Sequence, residues 1–280
     1  MRVDLGDVEL EVAQAGEGGE PLLLVHGFTG AKEDFGDWME PFADLGFHAV
    51  APDLRGHGAS DHPEDEAAYS LEIFADDLDA LIVELGWERS TLVGHSMGGM
   101  VAQVLATRVP EDLRGLVLMD TSHGSVEGID PELVEFAQGV ARNQGIEAVA
   151  DILAEMESPL DTPAHLRLLA EREGYAEFGD RKLRASSAAM YAAMVGELTA
   201  QEDRLNALRG LTVPTLVLVG DLDRPFLDDS ERLRAAIPGA RLVVVPGAGH
   251  SPQFEAPDVW WGAVSRFVQQ VTRDRPVEMA

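Results

Sequence analysis

From residue 22 onward the chain alternates short, largely apolar runs with longer stretches whose apolar residues recur every three or four positions. Residues 22–25, 47–51, 90–93, 116–119, 214–219 and 241–245 are of the first kind, and an apolar run of that length fits a strand buried on both faces. Residues 70–85 are of the second kind. Leu71, Phe74, Leu78, Leu81, Ile82 and Leu85 share one helical face, with Ser70 able to cap the start and Gly86 to end it. Helices are predicted in the same way over 100–109, 201–208, 228–237 and 256–271. Residues 2–14 alternate well enough for two short strands turning at Gly6-Asp7, and 273–280 reads as a loose tail. Strands alternating with helices predict an α/β fold, a mostly parallel central sheet flanked by helices, with ligands held at the carboxyl ends of the strands.

The rhythm breaks after Asp120. From 121 to 199 no strand-like run occurs, a stretch too long for a plain loop. Helices are predicted instead at 131–143, 146–157, 164–173 and 182–198. The domain reading is a core formed by residues 1–120 and 200–280, with a helical cap, residues 121–199, inserted after the strand that ends at Asp120. Most of the cap's large apolar residues should pack its own core. Tyr191 and Met194 are candidates to face a ligand.

The chemistry centres on Gly94-His95-Ser96-Met97-Gly98, a G-x-S-x-G pattern between a strand and a helix. A serine on such a turn is forced into strained geometry that pushes its hydroxyl out at the sheet edge. It needs a base. The candidate is His250, in a glycine-rich loop directly after the last strand; an imidazole can accept the serine proton and return it near neutral pH. His26, His57, His95 and His123 lie in loops at the same edge; His26, His95 and His123 are kept as candidate pocket residues. The acid is expected in Val219-Gly220-Asp221-Leu222-Asp223, where Asp223 is preferred and Asp221 is assigned to the turn. Asp120 is the other position from which the fold could supply an acid. An oxyanion hole would use the backbone N–H groups of Met97 and Phe28. Asp53 and Arg55 are expected to brace the neighbouring turn as an ion pair.

Composition narrows the partners. With 280 residues, 45% hydrophobic and 25% charged, the chain suits a soluble globular protein. Its formal net charge is −29, from 50 acidic and 21 basic side chains, and its lysines are Lys32 and Lys182 alone. Such a surface repels polyphosphates, so neither nucleic acid nor an anionic membrane is an expected partner. No apolar run approaches the roughly 18 residues of a membrane span. The opening MRVDLGD carries acids where a signal peptide is apolar, which leads us to expect a cytoplasmic protein, monomer or homodimer. The absence of cysteine excludes disulfides and thiolate catalysis. No metal or cofactor is expected.

The segments HGFTG (26–30), PDLRGHGAS (52–60), VGHSMGGMVA (93–102), LVLMDTS (116–122), VLVGDLDRP (217–225) and PGAGHSPQFEAPD (246–258) together resemble the α/β-hydrolase superfamily from Leu22 to Phe267. The resemblance is to its lidded, serine esterase-like branch, which includes carboxylesterases and perhydrolases. It implies a Ser96–Asp223–His250 triad acting on a carboxylic ester, and the apolar, methionine-containing cap suggests a small to medium hydrophobic acyl or aryl ester. Dehalogenases and epoxide hydrolases of this superfamily carry aspartate where Ser96 stands. HGFTG with GHSMGG is also similar to a menaquinone-pathway synthase, which usually has arginine at the position of Met100. The meta-cleavage carbon–carbon hydrolases usually show Gly-Pro in the oxyanion loop and tryptophan after the histidine, where this chain has Thr29-Gly30-Ala31 and Ser251. Carbon–carbon hydrolysis or lyase chemistry on the same triad is therefore the alternative activity. A ligand-binding receptor on this fold is the non-enzymatic one.

Overall fold

Alternate side chains of each parallel strand feed two different cores, which is why the strands read as unbroken apolar runs. Leu23, Val25, Leu92, Leu116, Leu118, Val217 and Val219 enter one core. Their neighbours Leu22, Leu24, Val93, Val117, Met119, Leu216 and Leu218 enter the other. Fully burying a side chain of this size is worth about 2–3 kcal/mol, so a register slip of one residue would exchange nothing polar but would misfit both helix layers.

The computed structural model describes residues 1–273, apart from 127, 157 and 159. The chain opens with β1 (Arg2–Asp4) and β2 (Glu9–Ala15), an antiparallel hairpin that turns through Gly6 at φ 98°. It continues through β3 (Glu20–Val25), α1 (Gly36–Asp44), β4 (Phe47–Pro52), α2 (Leu71–Glu84), β5 (Ser90–His95), α3 (Met97–Arg108) and β6 (Leu113–Met119). Next are the helices α4 (Pro131–Leu153), α5 (Pro163–Glu171), α6 (Tyr175–Arg184) and α7 (Ala188–Ala200). Then come α8 (Leu205–Leu208), β7 (Thr215–Gly220), α9 (Arg224–Ala236), β8 (Arg241–Val245), α10 (Pro252–Glu255) and α11 (Pro257–Arg273).

The strands form one sheet in the order β1-β2-β4-β3-β5-β6-β7-β8. It is parallel from β4 to β8, and β2 joins β4 antiparallel. One face is covered by α2, α3, α8 and α9 through residues such as Phe74, Leu78, Val101, Leu208 and Leu233. The other is covered by α1 and α11, where Phe42, Trp260 and Phe267 are buried. The α/β-hydrolase fold class expected from the sequence is the one observed.

The helices between β6 and β7 have a small core of their own around Val140, Ala141, Val149, Tyr191 and Ala192. They are tied to the sheet domain by specific bonds. The Ser187 N–H donates to Gly56 O at 2.8 Å. Glu197 on α7 accepts the Leu71 N–H at 2.8 Å. That places a carboxylate at the amino end of α2, beside the capping hydroxyl of Ser70. Arg142 makes a bidentate pair with Glu66 at 2.6 and 2.8 Å. Lys182 on α6 reaches the buried Asp34.

Several expected boundaries move, each for a local reason. Helix α1 was not expected, because Pro41 lies inside it and conceals the amphipathic pair Met39 and Phe42. The helices expected at 131–143 and 146–157 are the two arms of α4, broken at Gly145 with φ 83° and ψ 178°. The second arm ends at Leu153, and position 157 lies outside the described residues. The helix expected at 182–198 is divided: Lys182 lies in the last turn of α6, which ends at Arg184, and α7 starts after Ser187, whose hydroxyl accepts the Met190 N–H. Helix α3 begins at Met97 and α9 at Arg224, each a full turn or nearly so before its expected start. Residues 201–204 stay outside α8. The tail expected beyond 273 lies outside the described residues.

Candidate active site

The loops that follow β3, β5, β6, β7 and β8 meet at the carboxyl edge of the sheet, and Ser96 sits in the middle of that edge. It falls between the last residue of β5 and the first of α3, with φ 52° and ψ −119°. Positive φ in a residue with a β-carbon costs of order 1–3 kcal/mol and persists only where surroundings enforce it. Here the Ser96 N–H donates to Met119 O at 2.9 Å, and Ser96 O accepts the Thr121 hydroxyl at 2.7 Å. Gly98 allows the close approach of helix and strand, since a β-carbon there would lie 2.5 Å from the carbonyl oxygens of both Val25 and His26. Ser96 occupies the N-cap position of α3, yet its side chain makes no capping hydrogen bond. The hydroxyl is not used for structure at that helix end.

The loop after β3 passes directly over the serine. A β-carbon on Gly27 would lie 2.9 Å from Ser96 Cβ and 3.5 Å from its Oγ. Next in that loop, Phe28 turns its ring toward the helical insert and meets the Tyr191 ring at 5.0 Å. Thr29 has φ 56°. The Met97 N–H is the first of α3 and has no acceptor within its own helix. Backbone donors beside a serine hydroxyl are what a tetrahedral oxyanion requires.

His26 staples this loop in place. Its Nε2 accepts the Leu54 N–H at 3.0 Å, so Nδ1 carries the proton and donates to Gly27 O at 2.8 Å. Burial holds its pKa below the ordinary value, which keeps the ring neutral and both bonds intact. With both nitrogens engaged, His26 has none left for a ligand. Asp34 lies alongside, accepting the Ala31 N–H at 3.1 Å and pairing with Lys182. Burial disfavours its charge, but the Lys182 ammonium outweighs that and holds the carboxyl below the usual range.

The residues expected as acid and base follow β7 and β8. Asp223 stands at the mouth of α9, 1% exposed, and its Oδ2 accepts the His250 Nδ1–H at 2.8 Å. That bond puts the imidazole proton on Nδ1 and leaves Nε2 with a lone pair, the tautomer of a general base. Phe226 stacks on the His250 ring at 4.8 Å, fixing its plane. Asp221 is exposed and accepts the Gly247 N–H at 2.7 Å, bonding across to the histidine loop. Asp120 also lies here, with Oδ1 accepting the Gly220 N–H at 2.9 Å.

His95 connects the two halves of the site. Its Nε2–H donates to His250 O at 2.7 Å, and the two rings lie 5.0 Å apart. Burial, followed by the proximity of His250, lowers its pKa to about 3. It is a fixed neutral donor that anchors the histidine loop to the residue before Ser96. We expect His95→Phe to lower kcat for an ester substrate about tenfold, the size of one lost hydrogen bond, and His95→Gln to recover part of it. Equal rates in both variants and the parent would remove His95 from this role.

Other expected positions are placed away from this centre. His123 is buried between Asp229 Oδ1, 3.2 Å from Nε2, and Asp203 Oδ1, 3.4 Å from Nδ1, so it joins α9 to the end of the helical insert. Met194 is fully buried in the larger core. The expected Asp53–Arg55 pair is not formed. Asp53 holds Lys32 Nζ at 2.6 Å, whereas Arg55 grips Asp77 at 2.6 and 2.8 Å and Asp7 at 2.9 Å. Side chains two apart at the end of a strand need not share a partner. One residue was given no role from the sequence: Glu255, buried on α10, whose carboxylate accepts the Gly249 N–H and so shapes the turn that carries His250. Its signal was its place in the FEAPD segment just after the histidine.

Among the described residues, the group of carboxylate and imidazole atoms close enough to hold a cation is Asp120, Asp223 and His250, within 4.8 Å of one another. The Nδ1–Oδ2 bond and the Gly220 N–H already occupy atoms that a metal would need. Asp223 and His250 form a hydrogen-bonded pair, and Asp120 binds the Gly220 N–H beside it.

Residues 20–257 match the family described as having the alpha/beta hydrolase fold. The chain is 33% identical over 273 residues to the 2-(acetamidomethylene)succinate hydrolase of Mesorhizobium japonicum, covering 95% of this chain and 94% of that protein. It is 29% identical over 245 residues to Lipase 3 of a Moraxella species, covering 85% and 74%. Among solved structures, a thermophilic esterase from Thermogutta terrifontis superposes with a TM-score of 0.82 at 30% identity, covering 97% of this chain and 99% of that one. On the fold, the matched residues and these relatives, the chain belongs to the α/β-hydrolase family and is a hydrolase of that fold.

Proposed function

We propose that the protein is a serine hydrolase that cleaves carboxylic esters through an acyl-enzyme on Ser96. The observation that carries this reading is the uncapped, strained serine at 96 in the same site as an imidazole whose Nδ1–H is held by a buried carboxylate. In the first half-reaction His250 Nε2 takes the Ser96 proton as Oγ attacks the ester carbonyl. The N–H groups of Met97 and Phe28 hold the oxyanion, each worth about 3 kcal/mol of barrier. The protonated His250 then gives its proton to the departing alcohol. Water, activated by the same imidazole, attacks the acyl-enzyme and frees Ser96.

The helical insert supports a hydrophobic substrate. A cavity of about 120 Å³ lies between the arms of α4 and α7, walled by Leu133, Phe136, Val140, Ile152, Tyr191 and Val195. Tyr191 is shared: one side faces this cavity and the other touches Phe28 of the oxyanion loop. The Mesorhizobium relative is named for a succinate derivative, a dianion. Here the Lys182 ammonium near the site is already bound by Asp34, and the cavity wall is apolar. Both points favour a neutral ester of small to medium chain length.

A panel of p-nitrophenyl esters of rising acyl length, run beside a meta-cleavage dienone, tests the reading. We expect turnover of the esters, with a maximum in kcat/KM at short to medium chains, and no cleavage of the dienone. Faster turnover of the dienone would replace the ester reading with carbon–carbon hydrolysis. Silence on every substrate would favour a binding protein on this fold.

A further inference from the structure

Two buried carboxylates meet behind the imidazole, and the ester-hydrolysis reading uses only one of them. Asp120 directly follows β6, the strand next to β5 in the sheet, has φ 47° and is 0% exposed. Its Oδ1 is satisfied by the Gly220 N–H at 2.9 Å. Its Oδ2 and the Asp223 Oδ1 are both buried, and neither receives an N–H or O–H from any other described group. Asp223 in turn holds His250 through Oδ2. Two ionised carboxylates cannot share a dry site with two bare oxygens facing each other, so one proton must lie between them.

We infer that Asp120 is a positioning residue whose protonated carboxyl donates a hydrogen bond from Oδ2 to Asp223 Oδ1, holding Asp223 as the anion that orients His250. This rests on the ester-hydrolase reading, in which Asp223–His250 is the acid–base pair. The proton belongs on Asp120 because the partners of the two residues differ. Asp223 faces the Nδ1–H of His250, which favours its charge, and Asp120 faces a single backbone N–H. The groups around Asp120 are Asp223 at the start of α9, Glu255 on α10 and His250 in the loop after β8. Burial, then the Asp223 charge and the bond to Asp223, push the Asp120 carboxyl well above its ordinary range, and the charge of Glu255 adds to this. The chain Gly220 N–H···Asp120–O–H···Asp223···H–Nδ1 His250 then has a partner for every buried oxygen. It also limits the rotation of the Asp223 carboxylate, leaving it one way to face the imidazole.

Asparagine at 120 can reproduce both bonds, with its oxygen accepting from Gly220 and its Nδ2 donating to Asp223. Leucine is of similar size and can make neither. We expect Asp120→Asn to keep kcat on a p-nitrophenyl ester within about threefold and to leave the acid limb of the kcat/KM profile in place. Asp120→Leu should lose roughly 10- to 100-fold in kcat with KM little changed, the effect of removing one charge-assisted bond from a buried anion. If Asp120 were instead ionised, Asp120→Asn would remove a negative charge near His250 and destabilise the imidazolium. The acid limb would then move to lower pH by about one unit or more, and that result overturns the assignment. So would full activity in Asp120→Leu.

A second readout is independent of turnover and of whether the leucine variant folds. The infrared spectrum of the parent protein at neutral pH should carry a protonated-carboxyl C=O band that Asp120→Asn abolishes and Ser96→Ala leaves unchanged. A spectrum in which Asp120→Asn removes no such band overturns the inference even if the ester reading stands. Failure of the ester reading would show as undiminished turnover in Ser96→Ala, whatever the band does.

Discussion

Ser96→Ala is expected to lower kcat for hydrolysis of a short-chain p-nitrophenyl ester by roughly 10⁴- to 10⁶-fold, the range seen when a triad nucleophile is removed. The fold should survive the change. The hydroxyl caps nothing on α3, so the cost of about 1 kcal/mol that usually follows loss of a capping serine does not arise. Alanine keeps the β-carbon, hence the same strain at φ 52° and the same contact with the Gly27 loop. A thermal midpoint within a few degrees of the parent, together with loss of turnover, is the expected pair of results. Undiminished turnover in a folded variant would remove Ser96 as nucleophile and with it the acyl-enzyme route.

The second large effect is expected at Asp223. Asparagine there can turn its NH₂ toward His250 Nδ1, which forces the imidazole proton onto Nε2, where it blocks the serine. The loss should be about 10⁴-fold in kcat. Asp221→Asn should cost less than about threefold, because Asp221 is exposed and serves the Gly247 turn. The comparison is informative because the two residues are neighbours on one loop with the same chemistry. The reverse order of effects would move the acid to Asp221 and leave the 2.8 Å Asp223–His250 bond without a catalytic purpose.

How much of this could be read from the chain depends on sequence distance. The strand ends were legible because buried parallel strands are continuous apolar runs, and the loops that follow them inherit known positions on the sheet edge. Ser96, Asp223 and His250 all stand on such loops, within three residues of a glycine. What joins the site from farther away left no trace in any local pattern. Lys182 meets Asp34 across 148 positions, and Asp120 meets Asp223 because β6 and β7 happen to be neighbours. No periodicity records either pairing. Asp53 and Arg55 show the opposite error, in which nearness along the chain suggested a pair that the turn separates. In the helical insert, Gly145 and Ser187 mark the real helix breaks. The break at Gly145 falls between the helices expected at 131–143 and 146–157, whereas the one before α7 depends on the Ser187 cap rather than on the apolar pattern, so the single helix expected at 182–198 was misplaced.

Among the described residues, the non-glycine positions with positive φ are Thr29, Ser96 and Asp120. They follow β3, β5 and β6, three strands that lie side by side. The left-handed conformations that side chains avoid are thus gathered on one rim of the protein instead of being spread over it. For anyone selecting more robust versions of this chain, that rim is a hazard. Glycine at any of the three positions relieves the positive-φ strain, but at 96 it deletes the proposed nucleophile, and at 120 it removes the side chain behind Asp223. A screen that scores heat resistance alone would therefore drift toward inert protein at this edge, while the two cores beneath it can be improved without that conflict.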